Sequence, residues 1–182
     1  MIRSLFFCFL LFLPLMLSLP EASAQERTFS QFRVDLPEGW DGSERTGISS
    51  RDSNEYMLFL GKKDAQEENY LAYLSIYLLP NKPGKNAEQS AKTLASQQAD
   101  ATEPAAQGPF WVFTGNPRDK ILKGQAQTLV AANAEDLLII IVKDPANQGA
   151  QAILQSLVPA GERTKKLLGQ SGTAPESREI PR

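Results

Sequence analysis

The chemistry open to this chain is bounded by the reactive side chains it carries. Its 182 residues include no histidine and a single cysteine, Cys8. Without histidine there is no Ser-His-Asp or Cys-His catalysis, no imidazole metal ligation and no histidine pH switch. If an N-terminal leader containing Cys8 is removed, thiolate and iron–sulfur chemistry go with it. Carboxylates, lysines, tyrosines and hydroxyls remain. Glu67-Glu68 and Glu135-Asp136 are adjacent acids in turns. Adjacency alone does not make a general acid/base pair, whose carboxyls must face each other across a substrate. Asp52 and Asn54 have the spacing of the start of a calcium loop, but Met57 and Lys63 stand where its glycine and final acid belong. The chain has no Walker loop and no G-x-G-x-x-G, G-x-S-x-G or S-x-x-K motif. These observations weigh against an enzyme and point to no cofactor and no metal.

The remaining candidates are for binding. Phe110, Trp111 and Phe113 lie in a strongly β-prone run, where alternation sets Phe110 and Val112 on one face and Trp111 and Phe113 on the other. Trp111 is a candidate contact residue; the competing reading is core under a helix on both faces. Arg118, Asp119 and Lys120 form a mixed-charge loop tip beside the Gly115-Asn116-Pro117 turn and are the other candidates. Against them stands a solvated loop end. Trp40, after a Pro-x-Gly turn, reads as a lid on the core. A pocket lined by tyrosines such as Tyr56 and Tyr73 would serve a small-ligand carrier or a carboxylate-dependent enzyme.

Compartment is the firmest reading. Arg3, an apolar run from Leu5 to Leu19 broken only by Pro14 and Ser18, and Ala22-Ser23-Ala24 form a signal peptide with cleavage expected between Ala24 and Gln25. The run is shorter than the ~20 apolar residues of a spanning helix, so no integral span is expected after cleavage. The alternative is a tethered envelope protein that keeps its leader. Lipidation of Cys8 is rejected because Phe6 and Phe7 precede it and most of the apolar run follows. Cleavage leaves 158 residues, Gln25 to Arg182, enough for one domain with its own core. They carry 18 basic and 20 acidic side chains, a balance that suggests neither nucleic acid nor an anionic membrane as partner.

Lys120 to Val142 is the stretch that organises the rest. Leu122, Gly124, Ala126, Thr128, Val130 and Ala132 alternate with Lys123, Gln125 and Gln127, then comes Asn-Ala-Glu-Asp, then Leu137 to Val142 with no polar position. This predicts a long hairpin whose second arm is covered on both faces. Upstream, Gln25 to Ser30 reads as a frayed start and Phe32, Val34 and Leu36 as a first strand. Asp41 to Asn54 holds at most a short strand near Ile48. Tyr56 to Leu60 and Asn69 to Leu79 are strands. Asn86 with Gln89 is a capping box, opening a helix with an Ala87, Ala91, Leu94, Ala95 stripe that runs to Glu103-Pro104. Asp144-Pro145 reads as the start of a second helix carrying Ala150, Ile153, Leu154 and Leu157. Residues 161–182 are expected to be a disordered tail, with a short turn at Lys165 to Leu168.

The leader, the opening Phe32-Arg33-Val34-Asp35-Leu36-Pro37-Glu38-Gly39-Trp40, the capped mid-chain helix, the hairpin and the last helix with Ile153-Leu154-Gln155-Ser156-Leu157 occur in an order that resembles the PsbP and DcrB-like superfamily. That superfamily also includes the Ran-binding Mog proteins. The resemblance spans Phe29 to Val158. It implies an α+β fold, an antiparallel β-sheet flanked by helices in an α/β/α sandwich, over residues 25–160. It carries no shared catalytic motif, and no histidine or carboxylate cluster here matches the ion sites near the photosystem subunit. It implies a periplasmic or secreted accessory or binding protein whose partner is another envelope protein.

Overall fold

The computed structural model describes residues 24–49, 53–118 and 121–169. In chain order its elements are β1 (Gln25–Thr28), β2 (Phe32–Leu36), β3 (Trp40–Thr46), β4 (Tyr56–Lys63), β5 (Tyr70–Pro80), α1 (Ala87–Ala95), β6 (Ala105–Gln107), β7 (Phe110–Gly115), β8 (Ala126–Ala132), β9 (Asp136–Lys143), α2 (Ala150–Ser156), β10 (Val158–Pro159) and α3 (Glu162–Gly169). The fold is α+β, and strands dominate. Every strand pairing is antiparallel. The strands divide into two sheets rather than the single sheet expected: a seven-stranded one, ordered β3-β4-β5-β9-β8-β7-β6, and a three-stranded one, β1-β2-β10.

β9 is the middle strand of the large sheet, as its apolar run requires. Leu138, Ile140 and Val142 enter the main core, while Leu137 packs into a second cluster on the opposite face. The β8–β9 hairpin closes at Asn133, whose side-chain oxygen accepts from the Glu135 and Asp136 amides at 2.9 and 2.7 Å, an Asx turn. Its first arm begins at Ala126, not near Lys120. Gly124 sits at φ +104°, a backbone conformation that ends regular pairing.

Edge strands account for two misreadings. Among the described residues, β3 is seven residues long and pairs only with β4, and β1 pairs only with β2. Both are mostly exposed. They carry no apolar alternation to betray them, and the polar side chains of β3 blunt the open edge. The capping box of α1 is present, with Asn86 and Gln89 bonded reciprocally at 2.8 and 3.3 Å. The helix stops at Ala95, well before Glu103. Asp100 takes φ +54°, and Ala99 bridges Asn116 instead.

α2 begins at Ala150, not after Pro145. Asp144 still caps it, from six residues upstream: its carboxylate accepts from the Gln148, Gly149 and Ala150 amides at 2.6 to 3.0 Å, covering donors a helix start leaves open. In place of a short turn at Lys165 to Leu168 stands the helix α3, with Thr164 and Leu167 buried. Residues 170–182 of the expected tail, and residues 1–23 of the expected leader, lie outside the described residues. No helix among the described residues is long and apolar enough to cross a membrane.

The core has two parts. Phe32, Val34 and Leu36 of β2 join Leu58, Leu60, Leu74, Ile76, Leu78, Ile140 and Ile153 in the larger cluster. On the other face, Ala91 and Ala95 of α1 pack on Phe113 and Val130. Small residues on α1 let it lie close to the sheet. α2 contacts β2, β5 and β9, and α3 contacts β8 and β10.

Candidate functional site

On the face of the sheet away from α1, an apolar groove of about 530 Å³ opens between strands and the two C-terminal helices. Its floor is Phe110, Leu129 and Ile140, from β7, β8 and β9. Leu129 pairs in register with Val112 on one side and Ile140 on the other, so period two aims all three floor residues to one face. Leu154 and Leu157 of the α2 segment form one wall, and Pro159 of β10 with Leu168 and Gly169 of α3 the other; Pro109 lies at the β7 end. Phe110, Leu154, Leu157 and Leu168 are only partly buried against the core. They leave apolar area in water that an occupant would cover.

The walls are held by polar contacts behind them. Beyond the Asp144 cap, α2 is fixed by the Trp40 indole, which donates to the Gln148 carbonyl at 2.9 Å, and by Ser156 Oγ, which accepts from the Asp35 amide at 3.0 Å. Trp40 is therefore buried as a core lid with a satisfied N–H. α3 is tied at three points. The Thr164 hydroxyl donates to the Gln31 carbonyl at 2.8 Å. Arg163 donates through Nε and Nη2 to one oxygen of the buried Asp136, at 2.9 and 2.5 Å. Lys166 pairs with Glu135 at 2.7 Å.

Among the described residues, Lys165 is the one charged residue in the groove lining, at the rim, with Glu162 3.3 Å away as an exposed partner. Among the described residues, the lining has no carboxylate, hydroxyl or amide side chain. It can hold an apolar body and offer one ammonium; it supplies no acid, base or nucleophile pair.

A second concavity, of about 440 Å³, lies between β3, β4 and the loop before Tyr70, lined by Asp41, Ser43, Lys63, Asp64, Glu67 and Tyr70 among others. Asp41 and Asp64 are engaged. The Arg27 guanidinium bonded to Asp41 at 2.5 Å, with the Gly42 amide, holds that carboxyl below the usual range. Asp64 is lowered by the Asn69 side chain and by backbone amides. Both shifts fix the carboxylate as an anion, opposite to what a general acid at neutral pH needs.

Tyr56 and Tyr73, the tyrosines of the alternative small-ligand reading, do not share a pocket. Tyr56 pairs with Leu78 and Tyr73 with Gly61; Leu78 and Tyr73 are five positions apart on β5, so the two tyrosines lie on opposite faces. The buried Tyr56 hydroxyl donates to Glu44 at 3.0 Å; burial first, and Glu44 second, push its pKa well above the ordinary value. Tyr73 is buried and stacked on Phe59 at 5.7 Å between centroids.

Of the sequence candidates, Trp111 is half-buried beside Phe113 and Val130 in the cluster under α1. Arg118 is exposed beyond the other end of β7. Asp119 and Lys120 lie outside the described residues. The groove residues Ile140, Leu154 and Leu157 read in the sequence as ordinary core, and Lys165 and Leu168 as part of a tail. The available signal was the Thr164, Leu167, Leu168 spacing of α3. No cluster of His, Cys, Asp and Glu that could hold a metal ion occurs among the described residues. Comparison with family models, curated proteins and solved structures finds no match.

Proposed function

We propose that this chain is a non-enzymatic binding module of the cell envelope, exported by residues 1–24 and acting in the periplasm or outside the cell. The observation that carries the reading is the groove: apolar on floor and walls, edged by half-buried side chains, with a lone ammonium at its rim. That chemistry suits a small-ligand carrier rather than a catalyst. Export is supported by the pattern from Arg3 to Ala24. The α/β/α arrangement of PsbP and DcrB-like proteins is part of the proposal. It is supported by α1 on one face of the large sheet, by α2 and α3 on the side of the main core, and by the buried Phe32, Val34, Leu36 and Trp40 of the opening motif. Envelope proteins remain the partner class, as donors or acceptors of the ligand.

The test uses the neutral apolar dye phenylnaphthylamine. Saturable fluorescence enhancement with about one site per chain is expected, and Leu154→Gln with Leu168→Gln should abolish it while circular dichroism stays unchanged. Absence of saturable binding to the wild-type chain overturns the reading. Export is checked by N-terminal sequencing of protein recovered from the native envelope, where the first residue should be Gln25.

A further inference from the structure

We infer that the groove takes a free single-chain amphiphile of medium length with an anionic head, the head paired with Lys165; this rests on the carrier reading above. The floor crosses three adjacent strands through Phe110, Leu129 and Ile140. Two strand spacings make that floor roughly 10 Å across, an elongated apolar bed suited to an extended hydrocarbon chain. Among the described residues, the lining is aliphatic except for Phe110 on the floor and Lys165 at the rim. Apart from Lys165 it offers no hydrogen-bonding side chain by which a polar ring would be recognised.

The sign of the head follows from the rim. Among the described residues, Lys165 is the one charged side chain in the lining. Its partner Glu162 is 93% exposed and sits three residues back on the same helix, an ion pair weak enough to exchange for a ligand anion. Arg163 and Lys166 are turned away, toward Asp136 and Glu135. The carbonyl end of α3 at Gly169 opposes an anion with about half an elementary charge. Lys165 brings a whole charge on a flexible stem, so the net preference is for a negative head.

The experiment displaces phenylnaphthylamine from the full chain with decanoate, decanol and decyltrimethylammonium, each below its micellar concentration. Decanoate should compete best and the cation worst. Lys165→Glu, an exposed substitution, should weaken decanoate by roughly two- to five-fold, the scale of one solvent-exposed ion pair, and strengthen the cation. If the dye binds and all three compounds displace it equally, or Lys165→Glu leaves their relative affinities unchanged, the head-group inference is overturned while the carrier reading stands. If the dye never binds, both fall. Sedimentation velocity in the same titration covers the other occupant: a dimer that none of the three dissociates would mean that a second copy fills the groove, which also overturns the inference.

Discussion

Arg163→Ala tests whether α3 belongs to the folded body. Arg163 is 30% exposed and Asp136 6%. Its Nε and Nη2 converge on one Asp136 oxygen, and its Nη1 donates to the Asn54 carbonyl at 2.5 Å. Truncation leaves a buried carboxylate without its cation. Breaking a fully buried pair this way costs about 3–5 kcal/mol and an exposed one about 0–1. With one partner buried and the other partly so, about 2–3 kcal/mol is expected. For a chain of this size that lowers Tm by about 5–10 °C, with the urea midpoint shifted at constant slope. Arg163→Met combined with Asp136→Asn should recover part of the loss, because no charge is orphaned. Amide exchange should quicken across α3 before the β9 amides respond. A loss under about 0.5 kcal/mol, the range of an unremarkable surface change, together with fast α3 exchange in the wild-type chain, would refute the reasoning and return residues 161–169 to a loose tail.

Two further outcomes follow from single contacts. A Cβ at Gly61 would meet the Tyr70 ring at 2.5 Å and Phe59 at 3.0 Å; Gly61→Ala should therefore cost about 1–3 kcal/mol in urea denaturation, and Tyr70→Ala in the same chain should relieve part of it. For Tyr56, the folded pKa stands above the unfolded 10.0, so the native state holds the proton more tightly. Its contribution is complete below pH 10 and is lost as pH rises past that value toward the folded pKa; a stability–pH curve should show this alkaline fall in the wild-type chain and a shallower one in Tyr56→Phe.

Where burial dictated the residue type, the sequence was readable. The unbroken apolar run of β9, the alternation of Phe32, Val34 and Leu36, the facing of Phe110 and Phe113 and the Asn86–Gln89 box all follow from period or from one local hydrogen bond. What escaped was decided by partners distant in sequence. β1 and β3 are strands because an apolar neighbour offers them a ladder, and apart from the buried Trp40 their own side chains mostly face water. α3 has a charged face with only Leu167 and Thr164 buried, and it is held by Asp136, Glu135 and Gln31. The groove escaped for the same reason: Leu154 and Leu157 announce an apolar helix face, but whether that face is filled depends on where α3 comes to rest.

The small sheet constrains the order in which the protein can assemble. β2 is made early in synthesis, yet one of its edges waits for β10, and the Gln31 carbonyl waits for Thr164, 133 residues later. Loops of that length close at an entropic cost that local pairings do not bear, and high sequence separation slows folding. The β3-β4-β5 meander and the β8–β9 hairpin are local and can form first. Until the last turn of chain arrives, β2 keeps an open strand edge. A chain that crosses a membrane N-terminus first would present that edge during transit, when pairing with another molecule competes with its own C-terminus.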